Sequence, residues 1–151
     1  MTAESHETGP LRPQGEVYDW YHRAMDLLNG GNPAAAAQLL SHAIAEEPRS
    51  RSIREALARA QFGARRYAEA LATFRSLAEE QPDDHYAQFG WGLAAWRLRD
   101  FQTAAEHLAL AVAMRPDLKH YQQALRQVRA TLRVRQLAAQ DRRRGPDRTE
   151  P

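Results

Sequence analysis

Pro48, Pro82 and Pro116 stand 34 residues apart, each closing an alanine-rich amphipathic segment. A step repeated three times constrains this chain more than any other feature. A single unit of that length cannot hide its apolar face alone, so it must stack on a copy of itself. Other columns keep the step: Ala36, Ala70 and Ala104; Leu40, Phe74 and Leu108; Ala43, Leu77 and Ala111; and the small Ala24, Ala58 and Gly92. Pro33, Tyr67 and Phe101 mark the start of each second segment.

Within each half-unit the apolar residues recur at three and four rather than at two, so every unit reads as helix, short turn, helix. The first helix is expected from about Val17 to Asn29, with a turn at "GGN" and a restart at Pro33, the favoured first helical position for proline. "ARRY" and "RLRDF" make the later turns, and "EEP", "EQP" and "MRP" close the units, with the "RS", "DD" and "D" that follow offering oxygens to cap the next helix. No run alternates polar and apolar residues, and no strand is expected.

Trp20, Ala24, Ala36, Leu40, Ala43 and Pro48, with their in-register counterparts, resemble the tetratricopeptide repeat. The resemblance covers residues 17–118. It implies an all-α, right-handed helical-hairpin solenoid of three repeats, 17–50, 51–84 and 85–118, in a domain spanning 15–139. A capping helix is expected over 119–139, with disordered tails at 1–14 and 140–151. Arg54 and Gln88 depart from the family, which often has tryptophan there, and Arg23 stands where leucine is usual. The ends support the count. Asp19, Arg23 and Asp26 put charge on a stripe where the second unit has Ile53, Leu57 and Ala60, so the first helix should face solvent there. Tyr121, Leu125, Val128 and Leu132 form an apolar stripe backed by Gln122, Arg126, Arg129 and Arg133, the pattern of a cap.

Function in such a stack lies on its surfaces. The resemblance places the inner groove at Tyr18, Tyr21, Met25 and Leu28; Ser52, Glu55, Arg59 and Phe62; and Tyr86, Phe89, Leu93 and Trp96. Arg97 stands beside them. Aromatic and arginine side chains dominate interface energetics, so this composition suits a peptide or helix of a partner protein. Tyr21, Phe89 and Trp96 are the expected anchors, Arg59 and Arg97 the polar orienters. A second copy of the chain is another possible occupant. The family's chaperone-binding carboxylate clamp is absent, because its phases carry Tyr21, Met25, Ala56, Tyr86 and Gly90. A likeness to the three-repeat chaperones of bacterial secretion rests on repeat number and groove character alone.

Three other functions are weighed and set behind. "GWGLAA" contains the G-x-G-x-x-A spacing of a dinucleotide loop at Gly90, Gly92 and Ala95, yet such a loop must follow a strand, and here it lies inside a helix. His6, His22, His42, His85, His107 and His120 include no pair spaced by three or four, so no metal ligand pair, cofactor or catalytic residue is expected. Eight arginines from Arg126 to Arg148 make the C-terminal end +5 in a chain of +2, which could track the phosphates of nucleic acid. No aromatics interleave with them, so a solvated helix face and tail is preferred over nucleic acid or an anionic membrane. With no cysteine, no apolar run long enough to span a bilayer and no secretory start, a cytoplasmic location is expected. Arginine in place of lysine, with only Lys119 present, suggests a bacterial source.

Overall fold

The computed structural model describes residues 15–146. Seven helices follow in order: α1 (Val17–Asn29), α2 (Pro33–Glu46), α3 (Arg51–Gly63), α4 (Tyr67–Glu80), α5 (His85–Arg97), α6 (Phe101–Met114) and α7 (Lys119–Arg144). No strand occurs among the described residues. Each helix packs on the next, and the odd-numbered helices also touch one another, α1 on α3, α3 on α5 and α5 on α7. This is the all-α helical-hairpin solenoid that the repeat implies.

Caps fix several of the starts. Ser50 accepts from the Ile53 amide (3.3 Å), Asp84 from Ala87 (3.1 Å) and Asp100 from Thr103 (3.2 Å). The expected cap from "D" before α7 does not form. Leu118 occupies the N-cap, and Asp117 instead takes two hydrogen bonds from Arg115 at 3.0 and 2.9 Å. That pairing holds the Asp117 carboxyl down to about 2. The C-terminal boundary also differs. α7 runs to Arg144, so residues 140–144, expected in a tail, are helical. "LAAQDRRR" holds good helix formers and no breaker before Gly145, whose φ of 71° ends the helix. The expected tail at 1–14, and the tail residues from 147 onward, lie outside the described residues.

Packing explains why small residues keep the step. Ala24, Ala36, Ala58, Ala70, Ala104 and Gly92 are buried where paired helices approach most closely. The two glycines of "GWG" face opposite neighbours. A Cβ at Gly90 would drive into the Phe74 ring on α4, with Cγ at 2.6 Å, and one at Gly92 would lie 2.8 Å from Leu108 Cγ on α6. The glycine spacing thus serves a helix wedged between two others, not a nucleotide. The end stripes are as read: Ile53, Leu57 and Ala60 are buried while Asp19, Arg23 and Asp26 are exposed, and Tyr121, Leu125 and Val128 are buried against the body.

The two departures from tryptophan are filled by polar networks. Trp20 is fully buried. Arg54 reaches Glu80 (2.7 Å) and Ser76 of its own unit, and Arg51 joins the same Glu80 (3.1 Å) and Asp84 (2.8 Å). Gln88, buried in the third unit, donates to the Pro82 carbonyl (3.1 Å) and accepts from His107 Nδ1 (2.7 Å). His107 in turn stacks on Trp91 at 3.5 Å, with Arg75 on the same indole at 5.7 Å. No buried side-chain polar atom among the described residues lacks a partner, as a stable interior requires.

Candidate functional site

The odd-numbered helices supply the face that carries the expected groove residues. On α1, Tyr18 is the most open aromatic, 70% exposed, with its ring edge-on to His22 at 4.3 Å. Tyr21, Met25 and Leu28 are half-buried against the first core cluster. On α3, Ser52, Glu55 and Arg59 are exposed, whereas Phe62 packs beside Ala58, Ala70 and Phe74 and meets Tyr67 edge-on at 5.2 Å. On α5, Tyr86 leans on Phe74 at 5.9 Å, and Leu93 and Trp96 are half-buried against the third-unit core. Arg97 is exposed and lies over the Tyr67 ring at 5.8 Å, the ring that Phe62 meets edge-on.

Phe89 is less available than an anchor should be. Tyr121 of α7 stacks on one face of it at 4.2 Å and His120 meets its edge at 5.4 Å. Part of the aromatic surface therefore joins neighbouring helices, and the open remainder is carried by Tyr18 and the exposed polar pair on α3.

A polar cluster sits where the starts of α5 and α7 meet the α6–α7 turn. His85 Nδ1 lies 2.8 Å from the Tyr121 hydroxyl, and Arg115 approaches His85 Nε2 at 3.4 Å. Burial pushes the Tyr121 hydroxyl up to about 12, reinforced by Tyr86, Asp84 and Glu55 and opposed by Arg115. Tyr86 is also raised, again chiefly by burial, with Arg59 opposing. Glu55 is raised first by burial and then by the facing Asp84, while Arg51, Arg59 and His85 pull it back. Glu55, Arg59, Tyr86 and the buried Tyr121 thus lie close enough to act on one another electrostatically. The sequence reading missed the His85–Tyr121–Arg115 connection because its partners come from α5, α7 and the α6–α7 turn, and no local spacing announces it.

Neither Glu55 nor Arg59 makes a hydrogen bond or ion pair with a described residue. Arg51, Arg54, Arg75 and Arg115, by contrast, each hold a carboxylate. No group of three or more histidines and carboxylates among the described residues is placed to hold a metal ion. No described helix is long and apolar enough to cross a membrane.

Such a stack of helical hairpins, with polar and aromatic side chains presented on the face of its first helices, is an α-solenoid of the protein-binding type. Residues 27–89 match the family model described as tetratricopeptide repeat, which supports reading the chain as a tetratricopeptide-repeat protein. Among solved structures it resembles MamA (residue 41 to the end) from Desulfovibrio magneticus RS-1, with 19% identity, 84% of this chain and 72% of that one covered, and a TM-score of 0.75. The first TPR domain of human RPAP3 follows with 14% identity, coverage of 80% and 94%, and a TM-score of 0.72. A MamA mutant gives 19%, 79% and 65%, and 0.68, so this chain spans 65% of that protein's length. At these identities the likenesses establish the fold alone. No curated protein matches the chain.

Proposed function

We propose that this protein is a non-catalytic adaptor of the bacterial cytoplasm whose inner face binds a peptide or helix of another protein. The observation that carries this reading is the pair Glu55 and Arg59. They lie one helical turn apart on α3, exposed and with no hydrogen bond or ion pair to a described residue, between the aromatic and aliphatic side chains of α1 and α5. An acid and a base left open side by side suit a partner bearing the opposite pair, which fixes register while Tyr18, Tyr21, Met25, Phe62, Leu93 and Trp96 supply apolar contact.

The test is affinity capture from the native lysate, with nuclease added, comparing wild type with a Tyr18→Ala, Arg59→Glu variant. Both side chains are exposed, so circular dichroism should show an intact fold. A nuclease-resistant partner retained by wild type and lost by the variant supports the reading. Identical partners for both proteins would move the binding site off the inner face.

A further inference from the structure

The edge where paired helices turn carries a row of arginines assembled from distant parts of the chain. Arg65 and Arg66 lie in the α3–α4 turn, and Arg97 and Arg99 flank the α5–α6 turn, all exposed. Contacts join these turns into one line. A Cβ on Gly63 would touch Pro33 at the first turn, Arg97 covers Tyr67 at the second, and Arg99 and Arg135 share the Phe101 ring at 5.7 and 5.1 Å. The last contact brings the far end of α7 to the same edge. α7 has 26 residues against 13 or 14 for the others, so its final turns, with Arg142, Arg143 and Arg144 exposed, project past the stack. None of these arginines has a carboxylate partner among the described residues. The opposite edge collects the exposed Glu46, Glu47, Glu79 and Asp83 beside Arg49 and Lys119, while Glu69, Asp100 and Asp141 lie among the more numerous arginines.

Two further observations distinguish this edge. Arg65 and Arg99 adopt left-handed backbone conformations, φ 63° and 66°, at the phase where the first unit has Gly31, φ 80°. These conformations close α3 and α5, with Arg66 N–H on the Gln61 carbonyl and Asp100 N–H on the Ala95 carbonyl, and both turns place arginine where glycine is less strained. The same edge also holds exposed aliphatic side chains: Leu98 in the α5–α6 turn and Val134 and Leu137 on the projecting part of α7, 45%, 66% and 56% exposed.

We propose that this edge docks on an anionic lipid bilayer, with its guanidinium groups on headgroup phosphates and Val134 and Leu137 entering the acyl boundary. Arginines interspersed with exposed aliphatics suit such an interface. A single nucleic-acid strand needs free rings on which bases can stack, and here Tyr67 and Phe101 are already covered by arginines. The surface is separate from the inner face, so an adaptor could hold its partner while seated on the membrane.

The experiment is sedimentation of the full chain with vesicles of phosphatidylglycerol and phosphatidylcholine, or of phosphatidylcholine alone, at two salt concentrations. Binding to the anionic vesicles alone, weakening with salt, is expected. Arg65→Gly with Arg99→Gly removes two edge charges while relieving the left-handed strain, so lost binding cannot be blamed on unfolding. Vesicle affinity is expected to fall roughly thirtyfold. Val134→Asp with Leu137→Asp, on an exposed helix face, should abolish vesicle binding. The proposal is overturned if anionic vesicles do not bind, if either double variant binds as wild type does, or if the chain ignores vesicles and binds duplex RNA instead.

Discussion

Gly90→Ala isolates the close approach that shapes the third unit. In an open helix this change is stabilising by about 0.5–1 kcal/mol, because glycine loses more backbone entropy on folding. Here the new methyl would press on the Phe74 ring, whose Cγ would lie 2.6 Å away, and Phe74 is itself only 3% exposed. Overpacking of this kind costs ~1–3 kcal/mol. The net expectation is a loss of ~1–2 kcal/mol, or a fall in melting temperature of roughly 3–8 °C for a chain of this size. Thermal unfolding followed by circular dichroism at 222 nm, the usual helical band, reads it directly. A second background sharpens the test: in Phe74→Leu the ring edge is gone, so Gly90→Ala should become neutral or stabilising, and the two changes should not add. A higher melting temperature for Gly90→Ala in the wild-type background would refute the wedged-helix account of the two glycines.

Three other outcomes follow from the geometry. Arg65→Gly should stabilise the protein by ~1 kcal/mol in urea denaturation, since it relieves a left-handed residue whose side chain makes no described contact. Burial lowers the pKa of His107 below its ordinary 6.5, so the unfolded chain takes up the proton first. Stability from this group is therefore full above about 6.5 and lost as pH falls toward the lower folded value. The urea midpoint of wild type should drop between neutral pH and about pH 5.5, and His107→Gln should drop less. The raised pKa of Glu55 has the opposite sign, because its folded form favours the proton and its charge opposes folding as pH rises through that value. Glu55→Gln should thus be stabilising at neutral pH by no more than a fraction of a kcal/mol at so exposed a site, measured by the same urea titration.

The repeat step and its small residues made the helices legible, because Pro33, Tyr67 and Phe101 each begin a second helix as their phase requires. The end of α7 was not legible in the same way. "QDRRRG" is polar enough to look like a tail, and helix continuation there depends on propensity without the apolar signal that packing leaves in a sequence. Arg54 and Gln88 could be seen as departures, but what satisfies them lies on the second helix of the unit, beyond any local pattern. Phe89 shows the limit of phase arguments. A half-buried ring between two helices and a half-buried ring facing a ligand occupy the same position in the repeat, and only the stacked Tyr121 distinguishes them. Arg65 and Arg99 carry no sequence signal of their left-handed backbone beyond their alignment with Gly31.

The most direct test of the adaptor claim is a calorimetric titration of the captured partner's binding segment into wild type, into Tyr18→Ala with Arg59→Glu, and into Arg65→Gly with Arg99→Gly. The account predicts one site per chain, binding abolished or weakened at least tenfold by the inner-face variant, and affinity unchanged by the edge variant. Equal affinity for wild type and the inner-face variant would contradict it.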